Sequence, residues 1–189
     1  MNDKPIAAGK SSFDIVDSAA VLAELELDQG PVMADIACGI GNYSLAAARK
    51  MAPGGKIHAF DLWREGIEEL NRRIVDEGVT NLTAAVADAS KHIPLADDSV
   101  DVCLIATALH DLIEDHTGEG AVREIARVLK PGGRLVIVEF KKVEGSPGPP
   151  LHIRLSPGQL DEFVEPFGFE KQQTTDAGPY TYLTKYILH

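Results

Sequence analysis

Short, continuously apolar runs alternate with longer stretches in which apolar positions recur every three or four residues. PVMADIA (31–37), KIHAFDL (56–62), LTAAVAD (82–88), SVDVCLIATAL (99–109) and RLVIVEF (134–140) have the length and density of buried strands. Between them, SLAAARKMA (44–52) reads as a helix closed by Pro53-Gly54-Gly55. REGIEELNRRIVDEG (64–78) puts Ile67, Leu70 and Ile74 on one helical face. Val122, Ile125, Ala126 and Leu129 keep the same spacing up to the helix-ending KPGG. SPGQLDEFVEPFGF (156–169) predicts a helix with Ser156 as N-cap, Pro157 at its first position and Gln159 completing a capping box. Its apolar face is Leu160, Phe163, Val164 and Phe167. FEKQQTTDAGPYTYLTKYIL (169–188) reads as two strands joined at Ala177-Gly178-Pro179, a hairpin.

Strands that are apolar throughout and alternate with helices imply a mostly parallel sheet covered on both faces. Right-handed crossovers then gather the loops after the strands at one edge, where ligands bind. Residues 11–29 carry an extra helix, SAAVLAELEL, expected to close over that edge, so that 1–29 forms a possible lid. The Pro- and Gly-rich stretch KKVEGSPGPPLHIR makes 141–155 too long for a bare connector, and we expect it to be an active-site loop.

The 189 residues fit one domain, and 44 % apolar with 25 % charged residues is ordinary for a globular chain. The net charge of −11 disfavours nucleic acid and anionic membranes as partners. The two cysteines, Cys38 and Cys103, make no CxxC, which argues against a disulfide framework or a zinc site; no metal is expected. MNDKPIAAGKSSFD lacks the pattern of a secretory leader, and no apolar run approaches the ~20 residues of a membrane span. A cytoplasmic protein is the expectation.

The chemistry gathers at strand ends. MADIACGIGNYS (33–44) runs from strand to acid, Asp35, to a small-residue turn with Gly39 and Gly41. A phosphate-binding P-loop, GxxxxGK[ST], is absent. A dinucleotide turn, GxGxxG, fails at its third glycine, where Ser44 stands, and Asp35 would repel a pyrophosphate. An amino group and a sulfonium would instead be attracted, as in S-adenosylmethionine. Asp61, ending the second strand, is placed to accept from ribose hydroxyls. Asp88 and Ala89, ending the third, are placed to read an adenine edge.

Together these segments resemble a class I S-adenosylmethionine-dependent methyltransferase, of the small-molecule type that includes ubiquinone/menaquinone C-methyltransferases and arsenite methyltransferases. ADIACGIG resembles the family's first motif and HAFDLW its second. VADASKHIPLADDSVD resembles the third, and EIARVLKPGGRLVIVEF the helix leading into strand five. The resemblance covers roughly residues 31–140 and implies a Rossmann-like three-layer α/β sandwich, with a seven-stranded, mostly parallel sheet whose last strand is antiparallel. It implies S-adenosyl-L-methionine as cofactor and S-adenosyl-L-homocysteine as product. Asp35, Ala37, Gly39 and Gly41 would hold the methionine end, Asp61 the ribose, Leu62 the adenine face, and Asp88 and Ala89 the adenine edge. Ala37 departs from the family's usual glycine, and the turn there is therefore expected to avoid positive φ. Arsenic chemistry needs cysteines that this chain lacks, and the string after strand four differs from that of the quinone enzymes, so neither acceptor is implied.

Methyl transfer needs the acceptor held in line, and a base only where the acceptor must lose a proton. His110, after strand four, is the candidate base. Tyr43, Asp111, Glu139, His152 and Arg154 are candidate contacts of a small-molecule acceptor. Trp63 either flanks the cofactor or caps apolar surface near the second helix. Two other functions remain open: a nicotinamide-dependent oxidoreductase, and an S-adenosylmethionine-binding module without catalysis.

Overall fold

The structure is a computed structural model that describes residues 11–189; the stretch examined for a leader, and the start of the possible lid at 1–29, lie partly outside it. Its strands are β1 (Val32–Ile36), β2 (Lys56–Asp61), β3 (Leu82–Val86), β4 (Val100–Ala106), β5 (Leu129–Phe140), β6 (Phe169–Asp176) and β7 (Thr181–Leu188). They form one seven-stranded sheet in the order β3-β2-β1-β4-β5-β7-β6. β7 runs antiparallel to both neighbours, β5 and β6, and β1 to β5 are parallel.

Alternation along the strands builds two cores. Met33, Val102, Leu104, Val136 and Val138 face one side, covered by α1 (Ser18–Glu24), α2 (Asn42–Lys50) and α3 (Arg64–Asp76). Ala34, Ile36, Cys103, Ile105, Leu135 and Ile137 face the other, covered by α4 (Leu109–Glu114), α5 (Gly118–Val128) and α6 (Pro157–Val164). This is the expected three-layer sandwich. The α6 capping box also forms, with Gln159 N donating to Ser156 Oγ and Ser156 N to Gln159 Oε1.

Three local expectations are corrected. β4 stops at Ala106, because Thr107 takes a left-handed φ of 52°, and a short helix, α4, follows where the apolar run suggested more strand. Leu129 is not a helical residue of α5 but its C-cap, and it already opens β5. It pairs with Val100, whereas Val102 pairs with Arg134, so Pro131-Gly132-Gly133 bulges out of the ladder. A proline without an N–H fits only such a position. Finally, α1 does not lie across the ligand edge. Asp17 N, at its start, donates to Ala177 O at that edge, whereas Leu25 O, at its end, accepts from Arg134 at the opposite edge. The helix therefore runs down the sheet face, and only the residues before it reach the ligand edge.

The 141–155 segment is tied by one buried side chain. Arg154, 3 % exposed, donates Nε to Pro149 O, Nη1 to Lys141 O and Ser146 Oγ, and Nη2 to Ser146 O. Its guanidinium lies 5.7 Å from the Phe140 ring centroid. Gly148, at φ 118°, presses on the same ring; a Cβ there would come within 2.6 Å. Arg154→Lys keeps the charge but not the planar fork. We expect it to lose at least ~1.5–3 kcal/mol and to expose the segment to trypsin and elastase under conditions where wild type resists. Equal cleavage of both would contradict the knot.

Candidate active site

A cavity of about 270 Å³ opens at the carboxyl ends of β1, β2 and β4. Its wall begins with the turn after β1. Ala37 and Gly39 both have φ near 57°, and Gly41 has φ 72°. The expectation that Ala37 avoids positive φ is therefore wrong: the turn imposes its shape and the alanine bears the strain. A Cβ on Gly39 would meet nothing within 4 Å, leaving its backbone open to the cavity. Gly41 does not line the cavity. It faces α3, where a Cβ would fall 2.4 Å from Leu70 Cδ1, and so it sets how closely α3 approaches the turn.

The three strand-end acids all line this cavity. Asp35 is 2 % exposed, and its Oδ2 accepts from Ser44 Oγ at 2.5 Å. Burial pushes its pKa up to about 7, the nearby Asp61 charge adds to the rise, and the Ser44 bond opposes it. Asp61 accepts from Gly39 N and Trp63 N, both at 2.7 Å. Burial holds its pKa above the ordinary carboxylate range despite these bonds. Asp88 accepts from Ser90 Oγ at 2.6 Å and pairs with Lys91 at 2.8 Å. Burial acts to raise its pKa, but these partners outweigh it and the net shift is downward. Leu62, 51 % exposed, and Ala89 complete this end. Trp63 lines the cavity, and its ring lies on Gly66 of α3, where a Cβ would sit 2.4 Å from Cε3.

Of the expected acceptor contacts, the structure brings Tyr43 and Asp111 to the cavity. It does not bring His110, Glu139, His152 or Arg154 there. His110 is 3 % exposed and turned to β5. Glu139 Oε2 lies 2.7 Å from its Nδ1, and Glu139 Oε1 accepts its backbone N–H at 3.1 Å. Burial alone would lower the imidazole pKa; the bond and charge of Glu139, then Asp111, reverse this and raise it. Only His110 Nε2 points back, 3.6 Å from Asp111 Oδ1. Arg154 is consumed by its own loop, and His152 is exposed away from the cavity.

The sequence reading missed Ser12, Thr107 and Asp115 as cavity walls and Ser44 as the partner of Asp35. Ser44 did carry a signal: it is a polar residue on the buried face of α2, beside Leu45, Ala47 and Ala48. Ser12 and Thr107 are joined by a 2.7 Å hydrogen bond across 95 residues, which no local pattern reveals.

Residues 34–137 match the family described as "Methyltransferase domain". Over 154 residues the chain is 35 % identical to the ubiquinone/menaquinone biosynthesis C-methyltransferase UbiE of Ectopseudomonas mendocina, covering 81 % of this chain and 56 % of that one. It thus spans about half the length of the curated relatives it matches. A SAM-dependent methyltransferase from Aquifex aeolicus superposes with a TM-score of 0.85 at 26 % identity, covering 95 % of this chain and 94 % of that one. The [4+2]-cyclase SpnF shares the fold, with a TM-score of 0.78 at 20 % identity over 99 % of this chain and 84 % of that one.

Two outcomes follow from the site's geometry. Asp35 has a folded pKa of about 7, above its unfolded value of 3.8, so the folded state binds the extra proton. Its contribution to stability is full below the unfolded value and is lost as pH rises through about 7. Without ligand, Asp35→Asn should melt above wild type at pH 8 and lack that part of the pH slope; an equal slope would contradict the burial account. His110→Leu leaves Glu139 buried and uncompensated, and should cost ~3–5 kcal/mol in denaturant unfolding. A loss below ~1 kcal/mol would mean the pair is not buried as described.

Proposed function

The chain belongs to the methyltransferase domain family, and on that premise we propose that it transfers the methyl group of S-adenosyl-L-methionine to a small-molecule acceptor. S-adenosyl-L-homocysteine is then the product. The observation that carries this reading is the charge of the cavity wall. Its acidic side chains are Asp35, Asp61, Asp88, Asp111 and Asp115, its other titratable groups Cys38 and Tyr43 are held neutral by burial, and among the described residues no Lys, Arg or His lines it. A wall of this kind suits a ligand with an ammonium and a sulfonium and opposes a dinucleotide pyrophosphate, which weighs against a nicotinamide-dependent oxidoreductase.

In this reading Asp35, backed by Ser44, holds the amino group of the cofactor. The backbone around Ala37 and Gly39 follows its methionine chain. Each Asp61 oxygen already accepts a backbone N–H and keeps a second lone pair for a ribose hydroxyl. Leu62 covers the adenine, and Asp88 and Ala89 meet its edge. The cofactor supplies an activated methyl on a sulfonium leaving group. The protein then has to orient the acceptor and exclude water. The stretch of wall formed by Ala106, Ala108 and Leu112, with Ser12 beside Thr107 and Tyr43 in the same cavity, is where the acceptor would be held. No helix among the described residues is long and apolar enough to cross a membrane. Cys38 and Cys103 are unpaired, which supports a reducing compartment, the cytoplasm.

Asp61→Ala tests the assignment. Charged hydrogen bonds contribute ~1.5–3 kcal/mol each, so S-adenosylhomocysteine affinity should fall roughly tenfold to a few hundredfold in titration calorimetry. NADH should not bind wild type. An unchanged affinity in the variant, or no S-adenosylhomocysteine binding by wild type, would overturn the reading. Turnover of labelled S-adenosylmethionine against metabolite extracts separates an enzyme from a silent cofactor-binding module.

A further inference from the structure

We propose that Glu139 and His110 are positioning residues of the transfer reaction. Neither lines the cavity; together they fix α4 so that its cavity face, Ala108, Asp111 and Leu112, stands where the acceptor is held. The proposal rests on the methyltransferase reading of this cavity, whose cofactor end is built by other elements, the ends of β1, β2 and β3.

α4 has little of its own to hold it. It spans six residues, its N-cap Ala108 makes no side-chain capping bond, and it follows Thr107, at a left-handed φ of 52°. So short a helix is not stable by itself. Its cap comes from another strand. Glu139, fully buried on β5, accepts the backbone N–H of His110 through Oε1 at 3.1 Å, and its Oε2 lies 2.7 Å from Nδ1 of the same residue. One carboxylate thus satisfies an orphan N–H of the first helical turn and locks the imidazole beside it. The Phe140 N–H donates to Oε2 at 3.3 Å, and the Phe140 ring stands nearly at right angles to the imidazole, centroids 6.0 Å apart. Apolar side chains of similar volume would attach α4 to β5 about as firmly. What the carboxylate and the imidazole add is a fixed direction.

That direction leads to the cavity. With Nδ1 on Glu139, Nε2 faces Asp111, 3.6 Å from Oδ1. Asp111 lines the cavity together with Ala108 and Leu112, which share its helix face by their three- and four-residue spacing. A neutral imidazole with its proton on Nδ1 would turn a lone pair toward the Asp111 carboxylate, whereas an imidazolium turns an N–H. The groups around the ring favour the second form. Burial opposes it, as does Arg154 of the 141–155 segment, but the bond and charge of Glu139 and the charge of Asp111 outweigh both and raise the pKa. Near Glu139, Tyr182 of β7 stays neutral: burial and then the Glu139 charge raise its pKa, and its hydroxyl donates to Leu155 O. The pair therefore ties α4 twice, at its backbone through Glu139 and at its cavity face through the imidazolium.

The test follows methyl transfer by the full chain from saturating labelled S-adenosylmethionine into a dilution series of one metabolite extract that wild type labels. In Glu139→Gln the side chain keeps its volume but offers one acceptor oxygen where the carboxylate offers two. Its S-adenosylhomocysteine affinity should stay within about threefold of wild type, whereas its initial rate in dilute extract should fall on the order of tenfold to a hundredfold. In wild type that rate should also fall as pH rises through the His110 pKa, above the usual 6.5, because Nε2 then loses the proton it turns toward Asp111. Asp111→Asn leaves the Glu139–His110 pair whole and should lack this fall. Three results would overturn the proposal: a Glu139→Gln rate within about threefold of wild type, a loss of S-adenosylhomocysteine affinity equal to the loss of rate, or a wild-type pH profile that shows no fall or shares it with Asp111→Asn. If Glu139→Gln melts out, the pH comparison decides alone. Wild type that binds S-adenosylhomocysteine but labels nothing in any extract brings down the enzyme reading instead.

Discussion

The buried hydrogen bond from Ser44 to Asp35 is the constraint around which this molecule is organised. Asp35 sits near the end of β1, between β2 and β4 in the sheet, almost fully buried but edging the cavity. An ionised carboxylate in such a place is costly unless paired, and one hydroxyl pairs it only in part. The protein therefore holds it half-way, with a pKa of about 7, poised to ionise when a cation arrives. Everything near it serves that placement. α2 begins at the glycine turn so that Ser44 falls beneath the acid. Asp61 pins the turn through Gly39 N. Leu70 of α3 closes on Gly41 from behind.

The same edge stores backbone strain. Ala37 and Thr107, one after β1 and one after β4, adopt left-handed φ angles that cost a non-glycine residue roughly 1–2 kcal/mol each. Both line the cavity. Strain, crowded acids and an orphan tyrosine hydroxyl all fall at one place, which is the pattern of a site kept unfavourable until a ligand fills it. Glu26, Asp98 and His116 also take left-handed φ and Arg134 Nε also lacks a partner, but none of these lines the cavity. The two cores alternate cleanly along each strand, and Arg154 ties its own loop with hydrogen bonds to backbone.

Much of this was legible in the sequence because it depends on short-range pattern. Period and capping located the strands and most helices. The acids at the ends of β1 to β3 were visible because strand ends and ligand edge coincide in a parallel sheet. What failed was long-range or conformational. His110 looked like an active-site base from its position after β4, but the partner that turns it inward, Glu139, is 29 residues away on another strand. Arg154 looked like an anion-binding side chain because the carbonyls it consumes belong to backbone, which carries no residue signature. Ala37 looked incompatible with positive φ because propensity is a local rule, and here the turn's hydrogen bonds override it.

The central claim is that Asp35 receives the cation of the ligand and loses its proton in doing so. Titration calorimetry of S-adenosylhomocysteine in buffers of different ionisation enthalpy measures this directly. With a pKa of about 7 before binding, roughly half a proton per site should be released to buffer at pH 7, and affinity should rise between pH 6 and 8. Binding with no proton exchange and a flat pH profile, or with proton uptake, would contradict the account.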